Sequence, residues 1–248
     1  MNVFIFKGKY LFLALLCLVA VLSCFLGVKT TSVFKSGERN IPVYSVKRDD
    51  NLASISFNCA WNDSDIDSIL KTLDLYNVKA TFFIVGDWAE KYPDALKKIS
   101  DSGHEIGGHS YNHKDYAKLS EKEIIKDKNQ CDLAISSVIN QTPTLYRVPS
   151  GSYNNSAIST IEDNEKIAIQ WSCDSIDYND ATAQSIYDRS IKLENGGILL
   201  MHNGTKNTAV ALPRILDNLC KRFTLVPIGE LIYYDNFSVD ATGKMYLK

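Results

Sequence analysis

Two histidines lie close together in the sequence and could bind a metal ion. His109 and His113 are four residues apart, and on one helical turn their imidazoles would project from the same face. Imidazole nitrogens are ligands of zinc and of other divalent cations. The chain has only four histidines, and two of them lie in the five residues after the Gly107-Gly108 pair. This concentration favours a metal site, although an H-x-x-x-H pair alone is weak evidence for one.

Three further polar side chains follow short apolar segments. Arg147 begins Arg-Val-Pro-Ser-Gly, Asp174 begins Asp-Ser-Ile-Asp, and His202 directly follows an apolar run. Each has an ordinary structural explanation. Pro-x-Gly is a turn sequence, an aspartate often caps a helix, and a histidine can simply end a strand. Taken singly, none of the three predicts a catalytic role.

The segments that carry these residues alternate between strand and helix patterns. Short β-branched or aromatic runs predict strands at 53–57, 80–85, 104–107, 144–147, 167–171, 197–201 and 223–226. Amphipathic stretches predict helices at 63–76, 87–102, 120–139, 155–164, 182–193 and 208–221. Such alternation predicts right-handed β-α units around a parallel sheet, either open or closed into a barrel. In these folds the carboxyl ends of the strands form the functional face, and the polar residues follow those ends.

The N-terminal region predicts a membrane segment. Residues 10–28 form an apolar run of nineteen residues without charge, which at 1.5 Å per residue is about long enough to cross a ~30 Å hydrocarbon core. We expect an uncleaved anchor rather than a cleaved signal or a lipid-modified Cys24, with the following domain on the extracytoplasmic side and secretion as the alternative. Residues 29–50 are then a linker, 51–230 the folded domain and 231–248 a C-terminal tail.

Composition limits the range of partners. The chain has 248 residues, which is enough for one mid-sized domain and an N-terminal appendage. Its formal net charge is −2 at pH 7, so no basic excess is available to neutralise phosphates. We therefore expect no nucleic-acid partner.

The order of the motifs resembles the polysaccharide deacetylases, a family also called the NodB-homology domain or carbohydrate esterase family four. The resemblance extends from about residue 53 to about residue 230. It rests on Ala-Thr-Phe-Phe-Ile-Val-Gly at 80–86 and Gly-His-Glu-Ile-Gly-Gly-His-Ser at 103–110, followed by R-x-P-x-G, D-S-x-D and L-x-H in that order. The F-x-x-A-W sequence at 57–61, at the position of the family's first motif, and Tyr178 after the D-S-x-D motif are most similar to the sporulation-associated branch.

The resemblance implies a fold, a reaction and a cofactor. The fold would be an irregular (β/α) barrel of about seven parallel strands. The reaction would be metal-dependent removal of acetyl groups from an N-acetylated polysaccharide such as peptidoglycan or a chitin-like polymer, by hydrolysis of a non-peptide carbon–nitrogen bond. His109 and His113 would be ligands of a divalent metal, with zinc expected and cobalt or another divalent cation as alternatives. Such a cation lowers the pKa of its bound water and polarises the acetyl carbonyl.

The resemblance also implies roles for the remaining motif residues. His202 would be the general acid that protonates the departing amine, and Asp174 would hold and charge it. Arg147 would orient the catalytic base. The backbone around Ser150 and Gly151 would bind the oxyanion of the tetrahedral intermediate.

The first motif departs from the family pattern. Where the family reads T-F-D-D-G, this chain reads Ser-Phe-Asn-Cys-Ala at 56–60. Asn58 stands at the position of the base but cannot accept a proton. Cys59 stands at the position of a metal-binding aspartate and is either a thiolate ligand or a small buried thiol. Asp63 and Asp65 are nearby carboxylates that could substitute, although both fit the start of the next helix.

Two functions therefore remain open. The first is an active deacetylase that uses another base or a metal-bound hydroxide alone, and the second is a catalytically impaired relative that binds glycan. The intact His202 with Asp174 favours the first function. Asn58 favours the second.

Overall fold

The computed structural model describes residues 39–248. The predicted membrane segment at 10–28, and the linker up to residue 38, lie outside the described residues. Within residues 39–248, no helix is long and apolar enough to cross a membrane.

A curled sheet of parallel strands, a half-barrel, forms the centre of the domain. In chain order the strands are β1 (Ser45–Val46), β2 (Leu52–Cys59), β3 (Thr81–Ile84), β4 (Glu105–Gly108), β5 (Leu145–Tyr146), β6 (Ile167–Ala168), β7 (Cys173–Asp174), β8 (Ile198–His202), β9 (Thr224–Leu225), β10 (Phe237–Val239) and β11 (Lys244–Leu247). Seven of them lie side by side in the order β6-β5-β4-β3-β2-β8-β7, and β9 pairs with the first residues of β2. All of these pairings are parallel, as the alternating sequence pattern predicted. The two-residue strand β7 was not predicted, because so short a segment carries no periodic signal.

Helices connect the strands. They are α1 (Ile66–Leu75), α2 (Gly86–Lys91), α3 (Pro93–Asp101), α4 (Glu121–Ile139), α5 (Asn155–Glu162), α6 (Ala183–Ser190), α7 (Thr208–Leu219) and α8 (Ile228–Leu231). The helix predicted at 87–102 is broken into α2 and α3 at Tyr92, which has φ −128° and ψ 55°. Proline after Tyr92 causes the break, because its ring excludes helical geometry at the preceding residue. At the start of α4, Glu123 accepts hydrogen bonds from the backbone and side chain of Ser120, as in a capping box.

The central strand β2 separates the apolar core from the polar site. It is buried along nearly its whole length, as expected for a parallel strand covered on both faces. Phe57 and Cys59 belong to the core between the sheet and the helices, where Phe57 stacks on Phe82 at 5.0 Å between ring centroids. Because side chains alternate along a strand, Ser56 and Asn58 point to the opposite face. That face contains the candidate site.

Both ends of the described region belong to the folded domain. The segment from residue 39 contributes β1, and the expected tail contributes β10 and β11, which form a second sheet in the order β1-β11-β10. Val46 and Met245 are fully buried in it. Val43 also forms a parallel bridge with Ile169, next to the edge strand β6. The folded domain therefore extends beyond 51–230 at both ends. These strands have two to four residues, too few for the sequence to reveal them.

Candidate active site

A cleft of about 400 Å³ opens at the carboxyl ends of the central strands. It is lined by Asn58, Ala60, Trp61, His113, Ser150, Trp171, Asp174, Tyr178, Leu200 and His202. The structure thus brings together five of the residues that the sequence selected, from five separate segments of the chain. A wall role for Trp61, Trp171 and Tyr178 was not predicted, because nothing in the sequence indicates that these rings face the cleft.

Arg147 lies fully buried beneath this cleft and is held by three hydrogen bonds. Its Nη1 donates to Asn58 Oδ1 at 2.9 Å, and its Nη2 donates to Ser56 Oγ at 3.0 Å and to the carbonyl of Gln170 at 3.1 Å. The guanidinium also stacks over the ring of Phe83, 3.9 Å from its centroid. Arg147 therefore contacts the residue at the position of the base, as the resemblance implied.

The charge of Arg147 has no direct counter-ion. Among residues 39–248 no carboxylate lies within ion-pair distance of it. Burial lowers the pKa of Arg147 to about 9, and the more distant carboxylate of Asp174 opposes that shift. The guanidinium is still protonated at neutral pH. An aspartate at position 58 would neutralise it, whereas Asn58 does not.

The two histidines of the H-x-x-x-H motif face each other, with ring centroids 5.1 Å apart. His109 Nδ1 lies 2.7 Å from the carbonyl oxygen of Arg147 and therefore donates its proton there. The other ring nitrogen, His109 Nε2, is buried without a hydrogen-bond partner. Burial lowers the pKa of His109 well below its usual range, and burial followed by repulsion from His202 lowers that of His113. Both shifts favour the neutral imidazole, the form that can bind a cation.

A buried hydrogen-bond chain fixes the loop that carries these histidines. Ser110 has a left-handed backbone, with φ 68°, and its N–H donates to Tyr146 Oη at 2.8 Å. Tyr146 Oη lies 2.8 Å from Tyr116 Oη, which in turn lies 2.8 Å from Asp127 Oδ1. The same carboxylate oxygen accepts the N–H of Tyr111 at 2.8 Å. Because a carboxylate can only accept hydrogen bonds, the hydroxyl of Tyr116 donates to Asp127, and the hydroxyl of Tyr146 then donates to Tyr116.

Of the two alternatives for Cys59, the structure shows the small buried thiol, which does not join the histidine pair. Its side chain lies in the apolar core on the opposite face of β2. Burial, followed by repulsion from Asp65, raises the pKa of the thiol well above its usual value, so it stays protonated. In the part of the chain that the structure describes, no group of three His, Cys, Asp or Glu side chains could hold a metal ion. The orphaned His109 Nε2 fits a cation, but the donor set as a whole lacks the anionic ligand that would hold one tightly.

The nearby carboxylates do not replace the missing base. Asp65 is the N-cap residue of α1, as its position predicted, and its Oδ1 accepts the N–H of Gly204 at 2.8 Å. Neither Asp65 nor Asp63 lines the cleft. The site at Asn58 thus has no carboxylate substitute from this segment.

His202 is paired with Asp177, which corrects the expectation that Asp174 would hold it. Asp177 Oδ1 lies 2.7 Å from His202 Nδ1, and Asp177 Oδ2 accepts the backbone N–H of His202 at 2.7 Å. Asp177 Oδ2 also accepts a hydrogen bond from Thr208. Asp174 Oδ1 instead accepts the N–H of Ile176 at 2.8 Å. A tight turn at Ile176, with φ 51°, separates the two aspartates of the D-S-x-D motif, and Asp177 rather than Asp174 reaches His202.

The turn at Ser150 and Gly151, which the resemblance assigns to oxyanion binding, lies at the edge of the cleft. Both residues have positive φ, 55° and 64°. A side chain at Gly151 would meet the Trp171 ring at 3.1 Å, so glycine permits the close approach. Ser150 itself lines the cleft.

The sheet and its polar cleft together define an α/β domain with a hydrolase-type site. Comparison with known proteins gives the family. The model of the polysaccharide deacetylase family matches residues 45–166. The uncharacterised Bacillus subtilis protein YlxY is 31% identical over 193 residues, covering 77% of this chain and 60% of that protein. The peptidoglycan-N-acetylmuramic acid deacetylase PdaC of the same organism is 29% identical, covering 75% of this chain and 40% of PdaC.

A solved structure is similar as well. The Bacillus anthracis protein BA3943, described as a pseudoenzyme of carbohydrate esterase family four, superposes with a TM-score of 0.74 at 29% identity, covering 77% of this chain and 70% of that one. A mutant of BA3943 with restored enzymatic activity superposes with the same TM-score of 0.74. The chain carries a polysaccharide deacetylase domain of carbohydrate esterase family four. It spans 40–60% of the length of the two B. subtilis relatives.

Proposed function

We propose that this protein is a catalytically impaired polysaccharide deacetylase that binds N-acetylated glycan. The observation that carries the proposal is the hydrogen bond from Arg147 to Asn58 Oδ1 at 2.9 Å. An amide at this position has no basic lone pair to accept the proton of an attacking water. Arg147 therefore orients a group that cannot act as the base.

The rest of the cleft supports glycan binding. Trp61, Trp171 and Tyr178 form its walls, and the rings of Trp61 and Tyr178 lie 5.3 and 5.2 Å from that of His202. Trp61 is 43% exposed and Tyr178 is 50% exposed, so both rings are available to pack on the apolar faces of sugar rings. This packing requires neither a base nor a metal.

The relatives support the nature of the glycan and the loss of activity. PdaC is a peptidoglycan-N-acetylmuramic acid deacetylase, which supports a peptidoglycan-type ligand. BA3943 is described as a pseudoenzyme, which supports the existence of non-catalytic members with this fold. We place this protein with them, in the branch that also includes sporulation-associated members.

A slow metal-dependent deacetylase is the second candidate. His202 retains a carboxylate partner in Asp177, which favours a working general acid. The unpartnered Nε2 of His109 favours a cation at the histidine pair. Such a cation would lower the pKa of a bound water and polarise the acetyl carbonyl. His202 would then protonate the departing amine.

One experiment separates the candidates. Residues 39–248 are incubated with N-acetylglucosamine oligomers in EDTA, in zinc and in cobalt; released acetate is measured, and binding to purified peptidoglycan is measured in parallel. The proposed function predicts binding without acetate release in all three conditions. Turnover that requires added metal would instead establish the second candidate. Failure to bind peptidoglycan or oligomers would contradict both.

We also propose that the domain is held at the membrane by residues 10–28, on the extracytoplasmic side where peptidoglycan lies. Fractionation of cells should recover the full-length chain in membranes with its N-terminal residues attached. A soluble product that begins after residue 20 would contradict an anchor and support secretion.

A further inference from the structure

We propose that Asn58 Nδ2, oriented and polarised by Arg147, donates a hydrogen bond to the acetyl carbonyl of a bound glycan, so that the N-acetyl group is recognised without a metal. This inference rests on the proposed glycan-binding function and names the group that is recognised. It assigns Asn58 a binding role in place of the catalytic role that the altered motif has lost.

The orientation of the Asn58 amide follows from its partner. A guanidinium has only donors, so the atom of Asn58 that lies 2.9 Å from Arg147 Nη1 must be the acceptor Oδ1. The opposite orientation would place two donors against each other at a buried position, at a cost of a lost hydrogen bond and a repulsion. Nδ2 is therefore directed away from Arg147.

Nδ2 is available to a ligand. Asn58 lines the cleft, and within residues 39–248 its Nδ2 has no hydrogen-bond partner. Nδ2 is also not fully buried, so a ligand in the cleft can reach it. The cleft thus has an N–H donor at the point where the related enzymes present a carboxylate acceptor. The hydrogen-bonding character of position 58 is therefore the reverse of that in the related enzymes.

The charge around Asn58 favours a carbonyl oxygen over a cation. Arg147 lies directly behind the amide without a carboxylate at ion-pair distance, so its positive charge strengthens Nδ2 as a donor. The same charge repels a divalent cation at this end of the site, and neither position 58 nor position 59 supplies a negative charge to offset it. In this chain the Asn58–Arg147 pair takes the place of the metal in contacting the acetyl oxygen.

The arrangement discriminates between acetylated and deacetylated sugars. An acetamido group offers a carbonyl oxygen to Asn58 and an N–H to an acceptor, and Asp174 presents a carboxylate in the same cleft. A deacetylated sugar offers an ammonium group instead, which would place donors and positive charge against Asn58 Nδ2 and Arg147. We therefore expect acetylated oligomers to bind at least about ten-fold more tightly, the effect of one well-placed hydrogen bond near a charge.

Calorimetric titration tests the inference. The full domain is titrated with tetra-N-acetylchitotetraose and with its fully deacetylated counterpart, each in EDTA and in zinc. The expected result is tighter binding of the acetylated oligomer, with the same Kd in EDTA as in zinc. Asn58→Ala and the isosteric Asn58→Asp should each weaken binding of the acetylated oligomer in EDTA by about ten-fold, because both remove the donor. Asn218→Ala, on α7 away from the cleft, is the matched control and should leave Kd unchanged.

The outcomes separate this inference from the function on which it rests. Equal Kd for the two oligomers would overturn the inference while leaving glycan binding intact, and so would an unchanged Kd in folded Asn58→Asp. Binding that disappears in EDTA would overturn it as well, since a metal would then contact the acetyl group. Binding of neither oligomer would remove the proposed function itself. Circular dichroism of each variant confirms that it is folded, and Asn58→Asp provides the test should Asn58→Ala not fold.

Discussion

Arg147 Nη1 and Asn58 Oδ1 lie 2.9 Å apart and join a buried cation to a neutral amide. In a deacetylase with aspartate at position 58 the same contact would be an ion pair. The substitution preserves the hydrogen bond and the shape of the site while removing a negative charge and a proton acceptor. Both consequences can be measured.

Restoring the carboxylate should restore catalysis. Asn58→Asp places a proton acceptor against Arg147, and we expect kcat for acetate release in saturating zinc or cobalt to rise at least ~10²-fold, the lower end of what a positioned base contributes. Asn58→Gln, which restores no charge, is the control and should show no gain. An unchanged rate in Asn58→Asp with metal demonstrably bound would mean that the parent uses another base or lacks a productive cleft. Turnover of the parent at saturating metal distinguishes these two explanations.

Metal affinity should depend on the histidine pair and on the charge at position 58. The parent offers the imidazoles of His109 and His113 without an anionic third ligand, so we expect weak zinc binding that the double change to alanine abolishes. Asn58→Asp adds a hard anionic group on the face of β2 that lines the cleft and should bind zinc at least about ten-fold more tightly. Titration with a zinc-competing chelator measures both affinities. Equal zinc content in the parent and in the alanine double variant would refute a site at these histidines.

Asp177, rather than Asp174, should support His202. In the Asn58→Asp background, Asp177→Asn leaves the imidazole without its carboxylate partner and should lower kcat by about 10²-fold. Asp174→Asn is the matched control, since Asp174 binds the N–H of Ile176 and should have a smaller effect on kcat. The NMR signal of the His202 Nδ1 proton gives an independent measurement and should shift in Asp177→Asn only. The reverse order of effects would restore the assignment that the sequence suggested.

The hydroxyl of Tyr146 should stabilise the histidine loop. Tyr146→Phe leaves the buried N–H of Ser110 without an acceptor, and we expect a loss of about 1–3 kcal/mol in the free energy of unfolding. Tyr233→Phe removes a hydroxyl that donates to the carbonyl of Lys47 at an exposed site, and it should cost less than about 0.5 kcal/mol. Urea denaturation measures both. Equal losses in the two variants would show that the buried chain gives no special stability.

His104 should make the fold sensitive to mild acid. Its Nδ1 accepts the N–H of Ala80 at 3.1 Å, and burial, followed by repulsion from Lys79, lowers its pKa to about 4. The unfolded chain binds this proton near pH 6.5, so the stabilising contribution is complete above pH 6.5 and is lost as the pH falls toward 4. We expect roughly 1–3 kcal/mol less stability at pH 4.5 than at pH 7 from this group. His104→Asn keeps an acceptor for Ala80 but cannot be protonated in this range.

The comparison of the two pH profiles isolates the effect of His104, because all other titrating groups are common to both proteins. Urea denaturation at several pH values gives each profile. The wild-type profile should fall more steeply between pH 6.5 and 4 than that of His104→Asn. Parallel profiles would show that His104 is not a source of acid sensitivity.

The sequence by itself determined the parallel sheet and the family. Apolar strands alternating with amphipathic helices predict that architecture because its periodicities are local, and the 80–86 and 103–110 strings are specific to one family. Pro93 also accounts for the break between α2 and α3 from sequence alone, since proline restricts the backbone of the preceding residue whatever the tertiary structure. The sequence also identified Asn58 as the altered position, because the lost carboxylate is visible in the residue type alone.

Tertiary structure decided which partners these residues have. Whether Asp174 or Asp177 holds His202 depends on a turn at Ile176 that no periodicity reports. Cys59 is excluded from the histidine pair by the pleat of β2, which directs it into the core while Asn58 faces the cleft. The orientation of the Asn58 amide is set by Arg147, eighty-nine residues further along the chain. Contacts between residues so distant in sequence form only when the whole sheet has folded. For that reason, local sequence patterns cannot predict whether position 58 presents a hydrogen-bond donor or an acceptor to the cleft.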